Sequence, residues 1–212
     1  MSHYLGELHR LGGESALVSP SRLAEVMGVS VPAAARMIER LEEPGLIERV
    51  PHRGVRLTNT GTRQALREIR YHRLSEAFLV RVMGYGWHEA HEMADALAEV
   101  ADETFVARMD ETAGHPTRCP HGEPIPTADG TMPEVHDTPL TELPIGFSGT
   151  VSRVRARDDE RLIYLAKVGL VPGQAIEIAN RGPFGGPLRI RVGRQEEVLG
   201  ADLAELIRVA AD

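Results

Sequence analysis

The chain has 212 residues, 42% hydrophobic and 26% charged, with a formal net charge of −7 and a single cysteine. That length can bury a sizeable core and leaves room for more than one domain, and the composition is that of a globular protein in water. No apolar run reaches the ~18 residues of a membrane span, the start MSHYLGELHRL lacks the regions of a secretory signal, and Cys119 alone excludes an internal disulfide framework, so a reducing, cytoplasmic setting is expected.

Leu5, Leu8 and Leu11 have helical spacing, and Gly12-Gly13 ends that segment. In VSPSRLAEVMG, Ser19 suits an N-cap, Pro20 the first helical turn, and Leu23, Val26 and Met27 form one apolar stripe. Gly28 breaks this helix and Ser30 caps the next, VPAAARMIERLEEPG, with Met37, Ile38 and Leu41 facing inward. Two short helices joined by a tight Gly-containing turn make a helix-turn-helix. LIERV and GVRLT, flanking Pro51-His52-Arg53-Gly54, then read as a β-hairpin, which in this position is a wing. Thr60 is expected to cap a long helix carrying Ala65, Leu66, Ile69, Leu74, Phe78 and Leu79. MGYGW interrupts the helical pattern, and HEAHEMADALAEVADETFVARM resumes it up to Gly114. Seven of the fourteen prolines fall between His115 and Pro144, which predicts an irregular linker rather than a packed element. GTVSRV, QAIEIA and LRIRV, with a helical turn near LIYLAKVG, predict a small β-barrel at the end. The fold class is mainly α with small β.

The charge is unevenly spread: +3 over residues 1–73, −11 over residues 74–143 and +1 over residues 144–212. A mildly basic front suits phosphate and an acidic middle suits cations. In a helix-turn-helix the second helix enters the major groove with its N-terminal residues nearest the bases. That puts Ser30, Pro32, Ala33, Ala34 and Arg36 at double-stranded DNA, with Arg40 one turn on, and gives Arg49, Arg53, Arg56 and His52 of the wing to the phosphates. The alternative is a winged helix that binds another protein, with its arginines merely solvated.

His72 and Glu76 are four apart on one helix, and His91, Asp95 and Glu99 recur every fourth residue on the next. If the two helices pack antiparallel through the GYG turn, the rows converge on a site for a divalent ion. Imidazole and carboxylate without thiolate favour Mn²⁺ or Fe²⁺. Spacing alone equally fits a solvated face, and His88 and Glu92 fit either reading. Cys119 and His121, in the Pro-rich stretch, read as structural. HEMAD departs from the His-Glu-x-x-His pattern of zinc peptidases because Asp95 stands at the second His, so no enzyme is expected.

The order of parts resembles the diphtheria-toxin-repressor family of iron- and manganese-dependent regulators. The stretches RLAEVMGVSVPAAARMIERLEEPGLIER, LTNTGTRQALREIRYHRLSEAFL and above all HPTRCPHGEPIP carry the likeness, which spans essentially the whole chain. The resemblance implies a winged-helix DNA-binding domain over 1–73, a helical metal-binding and dimerisation domain over 74–114, the Pro-rich linker over 115–144, and an SH3-like (FeoA-type) barrel over 145–212. It implies a homodimer whose metal-bound form binds operator DNA and represses metal-uptake genes, with no membrane and no small-molecule substrate. Of two metal positions per subunit, the ancillary one falls on His72, Glu76 and His91, with Asp158 as the match for a barrel carboxylate; the adjoining family Gln falls on Arg161. The primary one falls on His3, Asp95 and Glu99, while a further family Glu falls on Ala98, which cannot ligate. The Met and Cys ligands of iron-sensing members are replaced by harder donors, which favours Mn²⁺ over the alternative Fe²⁺. A metal-binding scaffold whose winged helix holds a protein is the reading from another class.

Overall fold

A computed structural model describes residues 2–156 and 158–211, which divide into two compact units. The first takes in residues up to 72 together with 98–101 and 126–132. Helices α1 (Ser2–Arg10), α2 (Pro20–Val26) and α3 (Val31–Glu42) precede a hairpin of β1 (Ile47–Val50) and β2 (Gly54–Leu57), and α4 (Asn59–Arg81) begins after it. The expected caps form: the Ser19 hydroxyl accepts from the Arg22 N–H at 3.1 Å and the Ser30 hydroxyl from the Ala33 N–H at 3.4 Å, each with a proline in the first turn behind it. Leu5, Leu8, Leu23, Ile38, Leu41, Ile47, Val55 and Leu57 form the core of this unit. The hairpin pairs Ile47 with Leu57 through Val50 with Gly54, and a bridge between Val18 and Val55 ties it to the chain ahead of α2.

Two expected helix ends are corrected. The cap of α4 is Thr58, not Thr60: its hydroxyl accepts from the Gly61 N–H at 3.1 Å and itself donates to the Gly45 carbonyl at 2.7 Å. Helical periodicity cannot tell which of two nearby threonines holds the cap; the carbonyl at the end of α3 does. The helix expected to run on to Gly114 is two helices, α5 (Ala90–Val100) and α6 (Glu103–Thr112), because the Asp102 carboxylate accepts from the Phe105 N–H at 2.8 Å and starts a new one.

The second unit holds residues 73–97, 102–125 and 133 onward. Its sheet comprises β3 (Thr138–Pro139), β4 (Ser148–Val154), β5 (Ala175–Arg181), β6 (Leu188–Val192), β7 (Gln195–Leu199) and β8 (Ile207–Ala211), with α7 (Asp159–Lys167) and the short α8 (Ala201–Ala204) between strands. The order is β3-β8-β4-β5-β6-β7, antiparallel throughout, with register shifts at Val151/Arg153 and Ile178/Asn180 that bend the strands. Leu162, Leu165, Leu170, Ile178, Ile190, Leu199 and Ile207 are completely buried in its core. Among the described residues the hydrogen-bonded order ends at β3 on one side and β7 on the other.

Residues 115–125 have no regular element, as the prolines predict, yet they are packed. Cys119, His121 and Ile125 are buried, Arg118 bridges Pro124, and the Val154 N–H donates to the His121 carbonyl at 2.9 Å. Proline removes ladder donors but does not stop a segment from docking by its side chains. Gly122 shows how closely it docks. A Cβ there would lie 2.0 Å from the Ser152 carbonyl oxygen of β4, and its φ of +84° is in the left-handed region.

Candidate metal centre and nucleic-acid interface

The boundary between the units falls inside α4, which runs unbroken through it, so His72 and Glu76 stand one turn apart on a single helix. Both are buried. His91 is in the first turn of α5, and its Nδ1 lies 3.1 Å from Glu76 Oε1. His72, Glu76 and His91 each offer a ligand atom, all within 4.8 Å of one another. The i,i+4 pair and the returning helix thus bring together the three residues expected at the ancillary position. Two imidazoles and a carboxylate are a donor set that fits a divalent transition ion.

The same carboxylate faces a second group. Glu76 Oε1 is 3.4 Å from His121 Nδ1, and Cys119 Sγ is 3.8 Å from that nitrogen. Glu76, Cys119 and His121 again offer ligand atoms within 4.8 Å, all three buried. Burial, and then the Glu76 charge, push the Cys119 thiol well above its ordinary pKa. Sequence reading passed over Cys119 and His121 as structural because they lie far along the chain from α4 in a stretch without periodicity. The signal was present in CPHG, two donors one residue apart followed by the glycine that lets the segment dock.

Asp158 has another role. It caps α7, its carboxylate accepting from the Arg161 N–H at 3.0 Å and pairing with the Arg161 guanidinium at 3.1 Å. His3 is exposed on α1, Asp95 is half-buried on α5 and Glu99 is exposed near its end. Among the described residues neither group of candidate ligands includes His3, Asp95, Glu99 or Asp158.

On α3, Pro32, Arg36 and Arg40 are exposed and Ala33 half-buried, but Ala34 is fully buried in the core and is removed from the expected DNA face. The wing arginines differ from one another. Arg49 pairs with Glu42 at 3.3 Å and Arg56 with Glu48 at 2.7 Å, whereas Arg36, Arg40 and Arg53 have no ion pair among the described residues. Three uncommitted cations on one helix and its wing are suited to phosphate.

Residues 1–55 match the profile of the iron-dependent repressor N-terminal DNA-binding domain, residues 58–127 that of the iron-dependent repressor metal-binding and dimerisation domain, and residues 138–211 that of the FeoA domain. The iron-dependent repressor IdeR of Mycobacterium leprae is 30% identical over 218 residues, covering 97% of this chain and 94% of that protein. The chain belongs to the diphtheria-toxin-repressor family. This is a family of metal-dependent transcriptional repressors, and the three-part architecture is the family's own. Among solved structures, a manganese-dependent transcriptional repressor in complex with manganese superposes with a TM-score of 0.91 at 34% identity, covering 100% of this chain and 99% of that one. The repressor ScaR with bound Cd²⁺ superposes with a TM-score of 0.84 at 31% identity, again covering 100% and 99%.

Proposed function

We propose that this member of the diphtheria-toxin-repressor family is a homodimeric, Mn²⁺-activated repressor of metal-uptake genes. The observation that carries the reading is the convergence of His72, Glu76 and His91, a donor set of nitrogen and oxygen only. When bound, a divalent ion supplies positive charge that neutralises the carboxylate and holds the helices bearing the imidazoles in one arrangement. Mn²⁺ is favoured over Fe²⁺ because the positions of the soft ligands of iron-sensing members carry His3 and Asp95. His3, Asp95 and Glu99 are proposed as ligands of a primary position, and with them a metal-dependent restraint on the helix that bears His3. For Asp158 the family match alone supports a ligand role, since its carboxylate is engaged in the cap of α7.

On the nucleic acid, Ser30 and Pro32 bring the start of α3 to the base edges, Ala33 permits close approach, and Arg36 and Arg40 reach bases or phosphates. Arg53 on the wing holds the flanking backbone. Dimerisation doubles this surface and sets the spacing of the half-sites. Metal and DNA binding are then linked by a coupling free energy of ~1–3 kcal/mol per site, and each must tighten the other.

A mobility shift on the operator, run in chelator, Mn²⁺, anaerobic Fe²⁺ and Zn²⁺, tests this. A complex that forms at low Mn²⁺ and needs far more Fe²⁺ is expected, and His3→Ala should lose the Mn²⁺ dependence while keeping the fold. The reverse metal preference would make the chain an iron sensor. A shift indifferent to every metal would remove the switch altogether.

A further inference from the structure

The tip of the wing carries a backbone outlier. β1 ends at Val50 and β2 starts at Gly54, and these two pair, so only Pro51, His52 and Arg53 lie between the strands. The Arg53 N–H donates to the Val50 carbonyl at 3.0 Å, which makes Pro51 and His52 the two central residues of a β-turn. Proline holds its own φ at about −65°, whereas His52 has a φ of +61°. A positive φ at the second central position alone defines a type II turn, where glycine or asparagine is the usual residue. A histidine there carries strain that asparagine would relieve, which points to a use for the imidazole itself.

The position is anchored at its base and open at its tip. The Val18 N–H donates to the Val55 carbonyl at 2.8 Å and the Val55 N–H to the Val18 carbonyl at 2.9 Å. Gly54 seats this contact, since a Cβ there would lie 2.6 Å from the Val18 carbonyl oxygen. Beyond it Pro51, His52 and Arg53 are all exposed. The helix α3, packed on β1, brings Glu39 and Glu42, which pair with Arg49 at 3.9 Å and 3.3 Å, together with Arg40 and Glu43. The helix α1, packed on β2, brings His3, the Glu7–Arg10 pair, and His9, which lies 3.5 Å from Glu14. On the hairpin itself Arg56 pairs with Glu48 at 2.7 Å. Among the described residues no carboxylate pairs with His52 or Arg53.

We propose that His52 is a proton-linked DNA contact: the wing tip sets its imidazole, beside Arg53, against a backbone phosphate and holds the ring there in its protonated form. The inference rests on the DNA-binding reading of α3 and the wing. Imidazole is the side chain whose charge changes across physiological pH, and an anionic oxygen within hydrogen-bond reach favours its charged form. Binding then takes up a proton from solvent at each wing, so affinity for DNA rises as the pH falls. The metal positions respond in the opposite sense, because a protonated imidazole cannot ligate. Acidification thus strengthens the grip of the wing while it loosens the metal, and saturating the metal separates the two.

The test is fluorescence anisotropy of the full chain with a fluorescein-labelled duplex of random sequence, in saturating Mn²⁺, from about pH 8 to about pH 6. A phosphate contact carries no sequence information, so random DNA reports it. His52→Asn keeps a residue that suits the turn and removes only the charge. The affinity of the wild type relative to His52→Asn should grow roughly threefold or more as the pH falls across that range. At the acid end the wild type should also lose affinity with salt more steeply, by about one counterion per wing. His52→Lys, charged throughout, should bind tightly without the added pH dependence. A wild-type to His52→Asn ratio that stays constant with pH overturns the proposal, and so does a His52→Lys profile parallel to that of the wild type. Either result leaves Mn²⁺-dependent operator binding standing. Failure of all three proteins to bind any duplex would instead remove the DNA-binding reading, and this contact with it.

Discussion

The Asp137 side chain is fully enclosed and receives hydrogen bonds from Arg153 Nε at 2.7 Å, Arg153 Nη2 at 2.6 Å and Arg208 Nε at 3.0 Å. Burial alone would raise its pKa, but the guanidinium hydrogen bonds outweigh burial and bring it down to about 2. A carboxylate whose pKa is depressed on folding stabilises the fold above its unfolded value, near 4, and that stabilisation is lost as the pH falls through about 2. The expected loss is about 2 kcal/mol between pH 4 and pH 2. Chemical denaturation across that range measures it, and Asp137→Asn should flatten that part of the profile. At Gly122, substitution by Ala meets the Ser152 carbonyl oxygen at 2.0 Å and a φ of +84°. The cost should exceed ~2 kcal/mol, seen as a lower denaturation midpoint. Single residues were unevenly legible: Ser19 and Ser30 announce their caps by the proline that follows, whereas the partners of Asp137 lie in strands 16 and 71 residues away.

At the level of elements, the break between α5 and α6 depends on one side chain. Asp102→Ala removes the acceptor of the Phe105 N–H and should cost about 1 kcal/mol, read as a lower midpoint with the helical content of α6 reduced at its start. The sequence ADETF carried this capping signal, but the apolar periodicity on either side of it read as continuous. Residues 119–125 fasten α4 to the sheet by their polar groups. Arg73 of α4 pairs with Glu123 at 3.2 Å and Arg153 of β4 with the same carboxylate at 3.3 Å, so one acidic residue of an irregular segment joins a helix to a strand. Counting prolines identified the irregularity and missed the docking, because docking is set by what lies opposite in space.

For the molecule as a whole, the balance of charge is acidic, yet the α3 and wing surface leaves Arg36, Arg40 and Arg53 unpaired among the described residues. Substituting Arg53 by Ala should weaken binding to all duplexes alike and lower the salt slope by roughly one counterion. Arg36→Ala should instead cost about 1–3 kcal/mol on the operator and much less on scrambled DNA. Fluorescence anisotropy over a salt series, with operator and scrambled duplexes, separates the two. Equal losses on both sequences would make Arg36 a phosphate contact.

Local signals in the sequence determined the winged helix, the long helix after it, the β-rich end, and the pairing of His72 with Glu76, because each depends on spacing or on a neighbour within a few residues. The approach of His91 followed from one short reversal. What only the tertiary structure decided is the far side of Glu76. Cys119 and His121 reach it from more than 40 positions along the chain, and no periodicity encodes that meeting. It is produced by Gly122 fitting against Ser152, by the hydrogen bond from Val154, and by Trp87 fixing the imidazole, three contacts that exist only once the chain has folded.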